Sequence, residues 1–428
     1  MGAEEANRRG SILSVAFEPV TVADGVHLIA TQGNGVVVEQ EEGLVLVDAG
    51  PGGELTERAI ADVRRLSDRP VRAIVYSHGH IGYNAGVAQW RSHATGRGER
   101  QPLTVGQRNV LRRFERYERT RGLQLMLNSW QFPRTSREAL EAGLSIPPPD
   151  VTFDDSYLLD DAERPVEVFA APSETDDAVG LWLPRQRILY GGPAVINGFP
   201  NIGTPQRIQR FTTRWIATLE KMCSRGAATL VPEFGPVVAG EEAVRERLVS
   251  TIDALQWLVD EVLSRLNRGM TDVEIIHDLP DPGPLFDHPH LRANYGSPDY
   301  VVRDLAREHF GWWMSRNPTD LHPAHPDRVG AAVLDAVDPD RVLERARALI
   351  SEGDDQMALH VLDLVALAPG DTPVIEEARR LKADCCDRLA GECAIFVSRS
   401  LYRGSARLLR SGRTRWSQAP DGLDRLDG

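Results

Sequence analysis

Arg72-Ala-Ile-Val-Tyr-Ser-His78-Gly-His80-Ile-Gly82-Tyr83-Asn-Ala-Gly86 is the stretch that decides how the rest of the chain is read. Residues 72–76 carry the β-branched pair Ile74 and Val75 and predict a short strand. Two histidines follow at its C-terminal end, one residue apart. On an extended backbone, side chains at i and i+2 point the same way. His78 and His80 can therefore aim two imidazoles at one point, which is half of a metal site. Gly79 and Gly82 allow the backbone to turn tightly beside them.

Upstream, strand-like segments alternate with turn signals. Val15–Val22 is the first, and Asp24-Gly25 is a hairpin signal before Val26–Ala30. Asn34-Gly35 leads into Val36–Glu39, and Gly43 leads into Leu44–Val47. Asp48-Ala-Gly50 ends the run. Leu55, Ala59, Ile60, Val63 and Leu66 then recur at helical spacing. Downstream, residues 92–150 form an insertion rich in arginine and aromatic residues, among them Arg112, Arg113, Tyr117, Trp130 and Phe132. It reads either as a solvated helix with a packed loop or as a lid whose arginines meet an anionic substrate group.

Val166–Pro172 predicts the strand that delivers Glu174, Asp176 and Asp177. Val179–Leu183 and Ile188–Tyr190 continue as a hairpin, and a late strand runs through residues 228–238. From about residue 243 the pattern is helical. Residues 243–266 form a long amphipathic helix. Residues 340–350, 353–366 and 372–389 form helical hairpins like a degenerate TPR unit.

The chain has 428 residues, which suggests two or three domains. A net charge of −13 argues against a tracker of nucleic-acid phosphates and against an anionic membrane surface. The four cysteines, Cys223, Cys385, Cys386 and Cys393, form no CxxC pair and read as reduced thiols. Cys385 and Cys386 lie on a helical pattern as a core pair. The first residues carry no apolar signal region, and no apolar run reaches membrane length, so a cytoplasmic protein is expected. His288-Pro-His290 has no carboxylate partner in sequence and reads as a surface loop.

The stretch 72–86 resembles the signature loop of the metallo-β-lactamase superfamily, His-x-His-x-Asp-His, with Gly82 and Tyr83 where that family has Asp and His. Asp48-Ala-Gly50 is similar to its Asp-x-Gly. Residues 290–410 resemble the dimerisation domain of the alkylsulfatase branch. That likeness rests on Asn294-Tyr-Gly, Phe310-Gly-Trp-Trp with Asn317-Pro, the Gly353-Asp to Ala368-Pro-Gly run, and Arg403–Arg410. The resemblance implies an α/β fold: an αββα metallo-β-lactamase sandwich over residues 11–245, followed by an all-helical dimerisation domain over 246–415. Residues 1–10 and 416–428 would be a disordered start and a flexible tail. It implies a first metal on His78, His80 and Glu174. The ligands of a second metal would fall at Gly82, Tyr83 and Phe234, with Pro193 at the bridging carboxylate, and none of these is a normal ligand. Asn197–Asn201 stands where the branch has a histidine-rich sulfate-binding segment.

Two histidines and a carboxylate suffice for one catalytic metal with an open position. The expected function is a hydrolase using one divalent metal, zinc with iron as the alternative, diverged from alkylsulfatases, on a small or amphiphilic organic substrate. A role in tailoring a specialised metabolite would fit such drift. Tyr83 would donate to a developing oxyanion, and Asp176 or Asp177 would orient water or act as base. Arg112, Tyr117, Trp130, Asn197 and Phe234 would bind substrate, with Phe132, Trp182 and Phe199 adding to an apolar pocket. The expected partners are a small-molecule substrate and a second copy of the chain, with neither nucleic acid nor membrane. Two other readings stay open. One is a non-haem Fe(II) redox enzyme on the same triad. The other is a metal-free, non-catalytic ligand-binding dimer.

Overall fold

The computed structural model describes residues 18–132 and 135–418. Seven strands form a first sheet in chain order: β1 Val20–Ala23, β2 Val26–Ala30, β3 Asn34–Gln40, β4 Gly43–Val47, β5 Val71–Val75, β6 Leu103–Gln107 and β7 Val151–Phe153. β1 to β4 are antiparallel neighbours, and β4 to β7 run parallel. A second sheet holds β8 Ser156–Leu159, β9 Val166–Ala170, β10 Val179–Leu183, β11 Ile188–Tyr190, β12 Thr229–Val231 and β13 Val238–Ala239, again neighbours in chain order. The first strand, expected from residue 15, is shorter, and residues 15–17 lie outside the described residues, as do 1–10 and 419–428.

The period of two explains how these strands pack. Val36 and Val38 of β3, with Val45 and Val47 of β4, face Val168, Leu181 and Ile188 of the second sheet. The intervening Val37, Leu44 and Leu46 face outward to helices. That outer layer comprises α1 Gly53–Leu66, α2 Val87–Gly96 and α3 Asn109–Arg119, through Ala59, Val63, Trp90 and Val110. After α3 come α4 Arg121–Gln131 and α5 Arg137–Gly143. The outer face of the second sheet is covered by α6 Thr212–Cys223, α7 Glu241–Leu266, α8 Asp272–Asp278 and α9 Pro298–Phe310. Phe169, Leu189 and Leu230 meet Trp215, Leu219, Leu255 and Leu305 there, each fully or almost fully buried. Burying a side chain of this size contributes roughly 1.5–3 kcal/mol. The αββα sandwich is thus present.

The structure corrects two expectations about organisation. Residues 92–150 are not one insertion, because β6 lies inside them and pairs with β5 and β7. Thr104 interrupts an apolar reading of β6, yet it is buried because its hydroxyl donates to the Asp150 carboxylate at 2.8 Å. The compact units also divide differently from residues 245/246. One holds the chain through Arg121 together with Glu138–Gly311, and the other holds Gly122–Arg137 together with the chain from Trp312 onward. The long helix α7 is amphipathic because it packs on the sandwich.

The second unit is helical, with α10 Pro326–Ala336, α11 Pro339–Ser351, α12 Asp355–Ala366, α13 Pro373–Glu392 and α14 Phe396–Arg410. Proline opens α10, α11 and α13, where its missing N–H costs nothing. Asp338 caps α11 by accepting from the N–H groups of Asp340 and Arg341. Leu343, Leu362, Val365, Ile375 and Cys385 form the core. Cys385 and Cys386 are buried and free, as the pattern predicted. Most of α4 belongs to this unit: Trp130 stacks on Trp416 with ring centroids 4.4 Å apart, beside Leu408. Gly404 lacks the Cβ that would collide with that Trp130 ring. Among the described residues no helix is long and apolar enough to cross a membrane.

Candidate metal centre

β5 ends at Val75, and the next five residues are held by backbone and carboxylate contacts. Tyr76 N–H donates to Val105 O at 2.9 Å. Ser77 N–H donates to Asp48 Oδ1 at 2.8 Å, and Gly79 N–H donates to Asp177 Oδ2 at 2.6 Å. Two buried acids from separate loops therefore seize the amides on either side of His78. A Cβ at Gly79 would lie 2.8 Å from side-chain carbons of both Arg113 and Val110, so the turn admits only glycine without rearrangement.

His78 Nε2 and His80 Nδ1 face each other at 2.9 Å, and Ser77 Oγ lies 3.0 Å from His78 Nδ1. His80 Nδ1 lies 3.8 Å from Glu174 Oε1. Ligating atoms of His78, His80 and Glu174 all fall within 4.8 Å of one another. Glu174 sits on the short loop after β9, closed by Ser173 N–H donating to Thr175 O at 3.0 Å. Its Oε1 accepts from the Asn201 amide and lies 3.2 Å from the Arg210 guanidinium. Burial lowers the His78 imidazole to about 4, and lowers His80 further below its usual value with the help of neighbouring positive groups. Both rings are thus held neutral, the form that binds metal. The donor set fits a divalent ion.

The Asp177 carboxylate is not a free base. Its Oδ1 accepts from Arg113 Nε at 2.6 Å while Oδ2 holds Gly79. Burial pushes this carboxyl up, but the Arg113 charge overrides it and holds the group below its usual range. Asp176 is half exposed and meets Arg113 Nη2 at 2.9 Å. The role of water-orienting base expected of this pair is therefore replaced by anchoring. Arg112 faces solvent, and its neighbour Arg113, 4 % exposed, is the one turned inward. Tyr117 is buried on the same helix under the Arg116 guanidinium.

The aromatic residues expected to line an apolar pocket each have local packing partners. Trp130 and Phe132 pack inside the helical unit, Phe132 against Phe396. Phe199 is fully buried against Phe286, and Trp182 lies near the Arg225 guanidinium. Asn197 and Phe234 do meet: Asn197 N–H donates to Phe234 O at 2.9 Å. His290 is tied to Ser250 Oγ at 2.8 Å and belongs to no metal-ligand cluster among the described residues.

Tyr83 packs its ring 4.2 Å from that of His78. Beside it stands Glu233, which the sequence reading passed over in favour of Phe234. Glu233 is 1 % exposed and lies 4.0 Å from His78 Nδ1, with the Tyr83 phenol as the polar group beside its carboxylate. Asn34 fixes its loop, donating from its side chain to Pro232 O and Gly235 O at 2.8 and 2.9 Å. Burial first, then the charge of Glu174, pushes the Glu233 carboxyl well up; burial and Glu233 in turn push the Tyr83 phenol up. The signal in sequence is a carboxylate one residue before Phe234.

Residues 28–233 match the Metallo-beta-lactamase superfamily, and residues 271–412 match Alkyl sulfatase dimerisation. A linear primary-alkylsulfatase of Pseudomonas sp. (strain ATCC 19151) is 28 % identical over 392 residues, covering 86 % of this chain and 72 % of that protein. An (R)-specific secondary-alkylsulfatase of Pseudomonas sp. is 26 % identical over 414 residues, covering 89 % of this chain but 60 % of that protein. The stereoselective inverting sec-alkylsulfatase Pisa1 from Pseudomonas sp. has the same fold, with a TM-score of 0.81, 22 % identity, and coverage of 94 % of this chain and 67 % of that one. The chain thus combines a metallo-β-lactamase domain with an alkylsulfatase dimerisation domain and is homologous to alkylsulfatases.

Proposed function

We propose that the chain is a hydrolase that acts through one divalent metal, zinc in the first instance, on His78, His80 and Glu174. The observation that carries this reading is the convergence of three ligand atoms within 4.8 Å, two of them on imidazoles that burial keeps neutral. A divalent ion bound there supplies a water of lowered pKa and polarises a substrate oxygen. Asn201 and Arg210 fix the rotamer of Glu174, the kind of outer support that tunes a metal ligand. Asp177 and Asp48 hold the turn that aims both histidines. The Tyr83 phenol stays protonated and can donate a hydrogen bond toward a developing oxyanion.

The substrate is a small or amphiphilic molecule with an ester-type bond, and the working form is a homodimer through the C-terminal helical region. The relatives support a sulfate ester as the first class to try. Pro193 and Phe234, at places where the resemblance put ligands of a second metal, support a substrate different from theirs. Elemental analysis of untagged protein tests the centre. About one zinc per chain supports the hydrolase and directs a screen of sulfate, carboxylic and lactone esters. One iron per chain redirects it to oxygen-uptake assays. No metal after reconstitution overturns the assignment, and two per chain overturns the single-metal reading.

A further inference from the structure

The tip of the β2–β3 hairpin is pinned beside the metal centre. Thr31 N–H donates to Gly33 O at 3.0 Å, and Asn34 N–H donates to Glu233 O at 2.7 Å. A Cβ on Gly33 would stand 2.6 Å from Glu233 O, so the tip lies directly against the loop that carries Glu233. Gln32 is the residue at that tip. Its side chain leans onto the turn that follows the two histidines: a Cβ on Gly82 would meet Gln32 Oε1 at 3.2 Å, Cδ at 3.4 Å and Cγ at 3.8 Å. Gly82 has φ +96°, a conformation that other residues adopt only under strain. The space that a side chain at 82 would need is taken by the Gln32 carboxamide instead.

That carboxamide serves no hydrogen bond of the fold. Gln32 is half-buried, and among the described residues its amide has no protein partner. The other side-chain amides around the turn are engaged: Asn34 donates to Pro232 O and Gly235 O, and Asn84 donates to Asp48. Gly82, on which the carboxamide rests, is two residues from His80 and adjoins Tyr83, whose ring lies 4.2 Å from that of His78. We propose that Gln32 is a specificity-determining residue whose carboxamide donates a hydrogen bond to the carbonyl oxygen of a carboxylic ester or lactone at the metal centre. This rests on the hydrolase reading above and names the substrate class within it.

The chemistry of the group selects the substrate. A carboxamide is neutral and donates through its NH2, which matches an uncharged carbonyl; the bond strengthens as that oxygen gains charge. A sulfate monoester is already an anion, best met by a guanidinium fork. Arg113 is committed to Asp176 and Asp177, and Arg210 to Glu174. In the hydrolysis, a water oxygen bonds to the acyl carbon and the acyl C–O bond breaks. One water proton ends on the leaving alkoxide oxygen and the other on the acid. Gln32 donates throughout and gives up no proton.

The test compares the full zinc-reconstituted chain with Gln32→Ala and Gln32→Met, using p-nitrophenyl acetate and p-nitrophenyl sulfate as probes. Met keeps the bulk beside Gly82 and removes the donor, so it reports even if the Ala variant folds poorly. The parent should prefer the acetate. Both variants should keep the parent's zinc content and Tm, and lose roughly 10²-fold in kcat on the acetate with a smaller change in KM. Their turnover of the sulfate should stay at the parent's level, so that the preference collapses. Undiminished acetate turnover in Gln32→Met, or a parent that cleaves only the sulfate, overturns the role of Gln32 and leaves the hydrolase standing. A parent that binds no zinc, or binds it and cleaves neither probe, overturns the hydrolase reading and the role of Gln32 together.

Discussion

The two flanks of the His-x-His turn hold their acids by opposite means. On the α3 side each carboxylate has a cation: Asp177 has Arg113, and Glu174 has Arg210. On the β4 side, Asp48 and Glu233 are buried, and among the described residues neither pairs with an arginine or lysine. Asp48 accepts from Ser77 N–H and from the Asn84 amide at 2.9 Å, yet burial still raises it to about 7. One flank is built to keep charge, the other to keep protons. A turn suspended between them can present two neutral imidazoles to a cation without a surplus of negative charge around it.

The comparison can be broken most decisively at the ligands. His80→Ala should remove bound metal almost completely, a larger loss than the ~10–100-fold that follows removal of an outer partner. Stoichiometric metal in that variant would sink the site. Next in size is Arg113→Ala, which strands the buried Asp177 charge. It should cost about 3–5 kcal/mol in denaturant unfolding, with partial recovery in Arg113→Lys. A variant as stable as the parent would show that the α3 flank does not depend on pairing.

The proton-keeping flank has its own signature. The folded protein binds a proton at Asp48 where the unfolded chain does not. Stability from that group is complete below about pH 4 and is lost as the pH rises to about 7, with a slope of up to ~1.4 kcal/mol per pH unit. Asp48→Asn should flatten that part of the stability profile of the metal-free protein; an unchanged profile would mean that Asp48 is charged. The smallest effect is expected at Glu233→Gln, since an amide closely replaces a protonated carboxyl. Metal content should be unchanged and stability within about 1 kcal/mol. A fall from two metals to one would make Glu233 a ligand and erase the contrast.

Much of this was legible in the chain. β2, β10 and β11 coincide with the expected strands because each is a short apolar run between turn signals. The two histidines were legible in the His-x-His spacing, and Glu174 only through the resemblance to the metallo-β-lactamase pattern. What sequence missed depended on long-range contacts. Arg113 and Arg112 are indistinguishable locally, and only the register of α3 turns one toward Asp177. Glu233 was hidden by a one-residue choice at a strand end, where alternate residues face opposite ways. Composition also says nothing about which core an aromatic joins: Trp130 stacks on Trp416, and Phe199 packs against Phe286.

The stacking of Trp130 on Trp416 sets an order of events during synthesis. The segment bearing Trp130 leaves the ribosome among the strands of the sandwich, long before the helices it will join exist. It must wait, with its indole uncovered, until α14 and the residues after it have emerged. The helical unit is therefore not a cassette that can be moved between relatives by a single splice. A transplanted C-terminal half would arrive with Gly404 shaped for a ring that stayed behind.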